Sequence, residues 1–299
     1  MTDISRILVV GSGAMGSQIG MVCALSGYEV RVQDISHESL ERAQTQLRSR
    51  VDRNVEKGRL TAEERDAAFD RMTFTTDLAE AANDVDFVIE AAIEKLDIKR
   101  ELFARLDELC PEHAILTSNS SSFIPSRIAD ATKRPDRVCN MHFFNPALVM
   151  KCVEVVRGEQ TSDATIEATV ELTKSLGKLP VLLDKEINGF VANRILTEIR
   201  REALFLVDGG YASVEAVDTA CKSALGHPMG PFELQDLTGL DIGYYAAMGR
   251  FEDSGDPADK PAASLAKRVE AGHLGRKAGR GWYVYDESGN RIGVNDEQS

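Results

Sequence analysis

"VVGSGAMGSQIG", residues 9–20, places Gly11, Gly13 and Gly16 in G-x-G-x-x-G spacing. Alone the pattern is weak, because a chain with 23 glycines produces near misses. Its surroundings strengthen it. The apolar run "RILVV" (6–10) precedes the glycines, a helix-like segment (14–26) follows, and a second apolar run, "EVRVQ" (29–33), leads to Asp34. In such a strand–turn–helix unit the first glycine permits the tight turn and the second lets the backbone approach a pyrophosphate. The third lets the helix sit close to the sheet. Ala14 and Met15 lie in the same turn, where a helix N-terminus offers N–H donors and partial positive charge without a lysine. A carboxylate at Asp34 suits the hydroxyls of an adenosine ribose and repels a 2′-phosphate, and Gln33 brings no compensating cation. NAD is therefore the expected cofactor. A glycine-rich structural turn is the competing explanation.

Outward from this unit, further strands are expected at "MTFTT" (72–76), "DFVIEA" (86–91), "AILTS" (114–118), "RVCNMHF" (137–143), "CVEVV" (152–156) and "LPVLL" (179–183). Helix-like segments at 36–57, 95–109 and 163–176 lie between them. Such alternation argues for a parallel sheet covered on both faces. After residue 188 the strand signals fade. "GFVANRILTEIRREALFLVDGG" (189–210) reads as one long helix closed by Gly209 and Gly210, and 213–225 as another capped by Ser213. "GHPMGPFELQDLTGLD" is turn chemistry leading into more helix. The expected fold is α/β: a Rossmann-type doubly wound sheet over 1–188, followed by an all-helical domain over 189–299.

Composition narrows the function. The 299 residues are 43% hydrophobic and 28% charged, with net charge −13 and no long basic stripe, which leaves nucleic-acid binding without support. Five scattered cysteines without a C-x-x-C pair suggest neither a disulfide framework nor a metal site. The N-terminus lacks a signal core and no stretch is long enough to span a bilayer, so a cytoplasmic location is expected.

Several residues offer chemistry beside a plainer use. The 36–57 helix carries Leu40, Ala43, Leu47, Val51 and Val55 along one stripe, with Arg53 and Lys57 neighbours on another face. They form a solvated basic edge or a clamp for phosphates. "SNSSS" (118–122) supplies caps and turns, or a hydroxyl for a ligand outside a parallel strand end. In "MHFFNP" (141–146), His142 shares a strand face with Asn140 and Phe144, opposite Cys139. Locally it fits a satisfied core residue. Glu154, on the next strand, could orient the ring as a general base requires. Asn193 sits inside a helix, facing the same way as Thr197 and Arg200, and serves helix packing or a site.

Taken together, "GSGAMGSQIG", "IEAAIEKLDIKRELF" (89–103), "SNSSS", "MHFFNPALVMKCVEVV" (141–156), "GFVANRIL" (189–196), "LGHPMGPFELQDLTGLD" (225–241) and "LGRKAGRGWYVY" (274–285) resemble the L-3-hydroxyacyl-CoA dehydrogenase family. The likeness is greatest to its short bacterial branch acting on 3-hydroxybutyryl-CoA, and spans almost the whole chain in order. It implies reversible NAD-dependent oxidation of a 3-hydroxyacyl-CoA, a homodimer paired through the helical domain, and specific roles. His142 would be the base, Glu154 its partner, and Ser121 a hydrogen-bond donor to the substrate's 3-oxygen near the nicotinamide. Asn193 would complete the site from the helical domain, in the interdomain cleft. Glu94, Lys99, Asn145 and Lys277 match further NAD contacts, and Arg53 and Lys57 fall where relatives place cations against coenzyme A. Dehydrogenases of carnitine or gulonate type, or a non-catalytic NAD-binding protein, are the alternatives. Three departures stand out. Ser120 replaces a common threonine, and Asn188 a common proline in a loop one residue longer. The polar tail "DESGNRIGVNDEQS" (286–299) is expected to be disordered.

Overall fold

The computed structural model describes residues 4–295, which form two compact units dividing between Val191 and Ala192. The first is built on strands β1 (Arg6–Val10), β2 (Glu29–Gln33), β3 (Met72–Thr75), β4 (Phe87–Glu90), β5 (Ile115–Ser118), β6 (Val138–Phe143), β7 (Cys152–Arg157) and β8 (Leu179–Leu183). They form one sheet in the order β3-β2-β1-β4-β5-β6-β7-β8. The first six run parallel; β7 pairs antiparallel with β6, and β8 parallel with β7. The expectation of a purely parallel sheet is corrected here. Only residues 144–151 join β6 to β7, too few for the crossover that a parallel neighbour requires.

Strand β1 shows why the sheet is covered on both faces. Ile7 and Val9 point into one apolar cluster with Ile19, Val32, Leu47 and Leu172, while Leu8 and Val10 point into another with Val88, Phe103, Leu116 and Ile128. Helices α1 (Gly16–Leu25), α2 (His37–Glu56) and α3 (Ala62–Asp70) follow the early strands; α4 (Leu78–Ala82), α5 (Leu96–Leu109), α6 (Ser126–Ala129) and α7 (Asp163–Ser175) follow the later ones. The stripe read on α2 is buried at Leu40, Ala43, Leu47 and Val51. Helix α3 is an addition to the sequence reading, started by a capping box between Thr61 and Glu64.

The second unit comprises α8 (Ala192–Asp208), α9 (Val214–Ala224), α10 (Pro231–Thr238), α11 (Leu240–Ser254) and α12 (Ala263–Glu270). Helix α8 begins three residues later than expected because Gly189 and Phe190 take positive φ, +77° and +51°, which no helix interior accommodates. Ser213 caps α9 as read, its hydroxyl accepting from Ala216 N. Two short antiparallel strands, β9 (Tyr283–Tyr285) and β10 (Arg291–Val294), correct the all-helical expectation and the expected disorder of the tail up to residue 295. Buried Asp236 explains the order: its carboxylate accepts from Trp282 N, Tyr283 N and Tyr285 OH, while Trp282 is fully buried. The last four residues of that tail lie outside the described residues. Among the described residues no helix is long and apolar enough to cross a membrane.

Candidate active site

Because β1, β2, β4, β5 and β6 are parallel, their C-terminal ends share one sheet edge. Most of the candidate residues of this unit lie there. The glycine turn leaves β1 with Gly11 at φ +98°, where an added Cβ would sit 2.6 Å from Ala91 O. At Gly16 a Cβ would meet Gly11 O at 1.8 Å, so the helix start touches the turn. At Gly13 a Cβ would meet nothing within 4 Å: the backbone there borders open space. Met15 precedes α1 with no side-chain cap, leaving the first-turn amides without a side-chain acceptor. Asp34, just past β2, reaches back to this turn. Its Oδ2 accepts from Ser12 N and Ser12 Oγ, each at 2.8 Å, and its Oδ1 accepts from Ser36 N at 3.1 Å.

The serine loop follows β5. Ser118 Oγ donates to Glu90 Oε2 at 2.5 Å and Ser120 Oγ to Glu94 Oε1 at 2.6 Å. The hydroxyl of Ser121 makes no hydrogen bond among the described residues, and Ser121 is exposed. Ser118 and Ser120 are thus committed to structure, whereas Ser121 offers a free hydroxyl to a ligand. Glu94 also accepts from the amides of Ser121 and Ser122, both at 3.1 Å. Burial raises its pKa, but the Ser120 hydroxyl, the Lys99 ammonium and the Ser122 amide outweigh that and hold it below the usual carboxylate range. Lys99 is 1% exposed, with Nζ 2.6 Å from Glu90 Oε1 and 3.1 Å from Glu94 Oε2.

His142, the penultimate residue of β6, stands opposite Glu154 in the antiparallel register. Its Nδ1 lies 2.9 Å from Glu154 Oε2, and the two residues are 6% and 0% exposed. An ionised carboxylate only accepts, so Nδ1 carries the proton and Nε2 keeps the lone pair. That is the tautomer a general base needs. Glu154 Oε1 accepts from Val191 N at 3.0 Å. The imidazole is wedged between Phe144 (ring centroids 4.6 Å apart) and Phe190 (5.5 Å), both edge-on. Cys139 points away, its Sγ 3.4 Å from Thr169 Oγ1; burial pushes its pKa up to about 12. Asn145 follows β6 and is exposed, joined to Pro146 by a cis bond.

Arg53 in the last turn of α2 and Lys57 at its C-cap are both exposed, and neither is in an ion pair among the described residues. In the second unit, Asn193 is the second residue of α8. Thr197 and Arg200, read on its face, line a cavity of about 290 Å³ that Asn193 does not line. Lys277 is bound to both oxygens of Asp241, at 2.7 and 2.6 Å. Among the described residues no group of three or more His, Cys, Asp or Glu is placed to hold a metal ion.

Two family models account for the chain almost end to end. Residues 6–187 match the 3-hydroxyacyl-CoA dehydrogenase NAD binding domain, and 189–285 match the 3-hydroxyacyl-CoA dehydrogenase C-terminal domain. The chain belongs to the 3-hydroxyacyl-CoA dehydrogenase family. It is 41% identical over 285 residues to the probable 3-hydroxybutyryl-CoA dehydrogenase of Bacillus subtilis, covering 95% of this chain and 99% of that one. The human mitochondrial hydroxyacyl-coenzyme A dehydrogenase is 39% identical, covering 94% and 91%. The crystal structure of (S)-3-hydroxybutyryl-CoA dehydrogenase PaaH1 from Ralstonia eutropha superimposes with a TM-score of 0.88 at 38% identity, covering 95% and 100%.

As a 3-hydroxyacyl-CoA dehydrogenase family member the chain is an NAD-dependent oxidoreductase, and its residues fit the cofactor. Gly13 borders the open space a pyrophosphate needs, and Gly11 and Gly16 keep the turn tight. Sequence reasoning missed four contributors. Ser12 fixes Asp34, Glu90 anchors the serine loop, and Phe190 and Val191 brace the His142–Glu154 pair. Glu90 ends an apolar strand, an odd place for a carboxylate, and that was the available signal. Positive φ at Phe190 has no local signature.

Proposed function

We propose that the protein catalyses the reversible oxidation of (S)-3-hydroxyacyl-CoA thioesters, such as 3-hydroxybutyryl-CoA, to 3-oxoacyl-CoA, with His142 as general base. The observation that carries the reading is the buried contact between His142 Nδ1 and Glu154 Oε2 at 2.9 Å, which leaves Nε2 as the basic nitrogen. In oxidation, His142 Nε2 removes the proton of the C3 hydroxyl as the C3–H bond breaks and the C3=O double bond forms. NAD, when bound, accepts the hydride from C3. Glu154 stabilises the imidazolium that results, and in the reverse direction His142 returns the proton to the 3-oxygen. Ser121 donates its free hydroxyl to the 3-oxygen, and Asn193 contributes from the helical unit.

The cofactor is assigned to Gly11, Gly13, Ala14, Met15, Gly16 and Asp34, with Glu94, Ser121, Asn145 and Lys277 as further candidates by family resemblance. The unpaired cations Arg53 and Lys57 suit the phosphates of coenzyme A and favour a thioester over a free hydroxy acid. The helical unit exposes Ile195, Phe205, Ile242 and Tyr245, apolar surface that suits a homodimer, and a cytoplasmic location fits the reading. The deciding assay is NADH oxidation with acetoacetyl-CoA and longer 3-oxoacyl-CoA thioesters, with free acetoacetate and NADPH as controls. Turnover confined to thioesters and NADH is expected; turnover of the free acid, or none at all, would overturn the reading.

A further inference from the structure

The backbone amides of residues 120–123 take no part in the sheet or in a helix. Ser120 N donates to Ser118 Oγ, the amides of Ser121 and Ser122 to Glu94 Oε1, and Phe123 N to Ser120 Oγ. The loop therefore takes its shape from side chains, and those side chains lead to one buried ammonium. Glu90 Oε1 accepts from Lys99 Nζ (2.6 Å) and from Ala92 N (2.7 Å), while Glu90 Oε2 accepts from Ser118 Oγ. On its other side, Lys99 pairs with Glu94 Oε2. Asn140, itself fully buried, ties the carbonyls of Ser120 and Phe123 to β6.

We propose that Glu90 and Lys99 are positioning residues: with Glu94 they form a carboxylate–ammonium–carboxylate brace that sets the serine loop and hence the Ser121 hydroxyl. Lys99 acts through Glu94 and does not touch the cofactor. The inference rests on the reading of Ser121 as a substrate-binding residue.

Three considerations carry it. At 1% exposure, Lys99 has no surface left for a ligand. A buried ion pair gives little net stability against an apolar pair of the same size, so its use here is in fixing geometry. Finally, Lys99 helps keep Glu94 ionised, and an ionised carboxylate is the acceptor-only partner that three converging donors require. A protonated Glu94 would turn an O–H towards them and release the loop.

The test uses the full-length enzyme with Lys99→Met and the double variant Glu90→Gln/Lys99→Met. In K99M the amides of 120–123 should exchange with deuterium at least about tenfold faster. Turnover of acetoacetyl-CoA should fall by about tenfold or more while the NADH Kd stays within about threefold. The kcat of K99M should also fall off at higher pH on the acid side than wild type, because Glu94 loses the cation that keeps it ionised. In the double variant, which removes the stranded charge, thermal stability should recover while exchange stays fast and kcat low. The proposal is overturned if K99M weakens NADH about tenfold with exchange at 120–123 unchanged, since Lys99 would then be a cofactor contact. It is overturned equally if the double variant regains kcat along with stability, since the brace would then be packing alone. Fast exchange with undiminished kcat would strike down the role of Ser121 and leave the loop brace standing, so the two failures are distinguishable.

Discussion

His142 and Glu154 face each other across the β6–β7 register, and the carboxylate divides its oxygens between the imidazole Nδ1 and the amide of Val191. Glu154 is thereby held on two sides, and the ring it holds is fixed by two phenyl edges. Nothing in this arrangement requires the substrate to be present.

Replacing His142 by Gln removes the base and keeps a polar side chain of similar reach. Steady-state turnover should fall by about 10²–10⁴-fold, with NADH affinity unchanged in a fluorescence titration. Glu154→Gln preserves size and an acceptor for Val191 N but removes the charge. By analogy with the orienting carboxylate of a catalytic triad, it should cost on the order of 10²–10⁴ in kcat. Near-normal turnover in either variant would remove that residue from the mechanism.

The glycines of the first turn separate folding from binding. Gly13→Ala places its methyl in open space, so thermal stability should stay within about 1 kcal/mol of wild type while NAD affinity drops. Gly16→Ala drives a methyl into Gly11 O and should yield little folded protein. Thermal unfolding and NADH titration, run on both, should give opposite patterns. Equal loss of stability in the two would refute the division of roles.

If Arg53 and Lys57 receive the phosphates of coenzyme A, the double change to Gln should raise the KM for acetoacetyl-CoA while leaving kcat near wild type. It should also flatten the dependence of KM on salt, since screened charge–charge attraction is what the variant removes. A KM and a salt slope equal to wild type would return the pair to a solvated helix edge.

At the opposite edge of the sheet, Asp86 accepts from Ser5 N, Ser5 Oγ and Arg6 N and meets His113 Nε2 at 3.0 Å. Burial raises its pKa, but these donors prevail and hold it below the ordinary aspartate value. A depressed native pKa gives stability that is present above the unfolded value, near about 3.9, and lost as pH falls through the native one. Asp86→Asn should therefore destabilise by about 1–3 kcal/mol at pH 7 in urea titrations, with the gap to wild type closing in strong acid. A gap that persists in acid would assign the effect to packing.

The strands were legible because each is an apolar run ended by turn chemistry, and all eight strands of the sheet lie within one residue of their expected ends. Strand direction was not legible from periodicity. The reversal at β7 follows from the shortness of 144–151, a topological constraint. The brace was hidden for another reason: Lys99 in "KLDIKRELF" has the look of a surface helix cation, and only the packing of α5 against the β4 end buries it. His142 was legible as a candidate through its spacing to Glu154, whereas Phe190 was not, since its ring reaches His142 through a backbone conformation that bulky residues rarely adopt. The tail strand β10 owes its order to Trp282 and to the buried Asp236, partners its own polar sequence does not announce.

The turn-back of the chain between β6 and β7 has a kinetic side. His142 and Glu154 are separated by twelve residues along the chain, against 28 between Glu90 and Ser118. Closing the shorter loop costs roughly 0.75 kcal/mol less entropy. The proton-handling pair is thus assembled from one contiguous ribbon, able to meet before the distant strands of the sheet have found their neighbours, and the loop that presents the substrate hydroxyl is the later arrival.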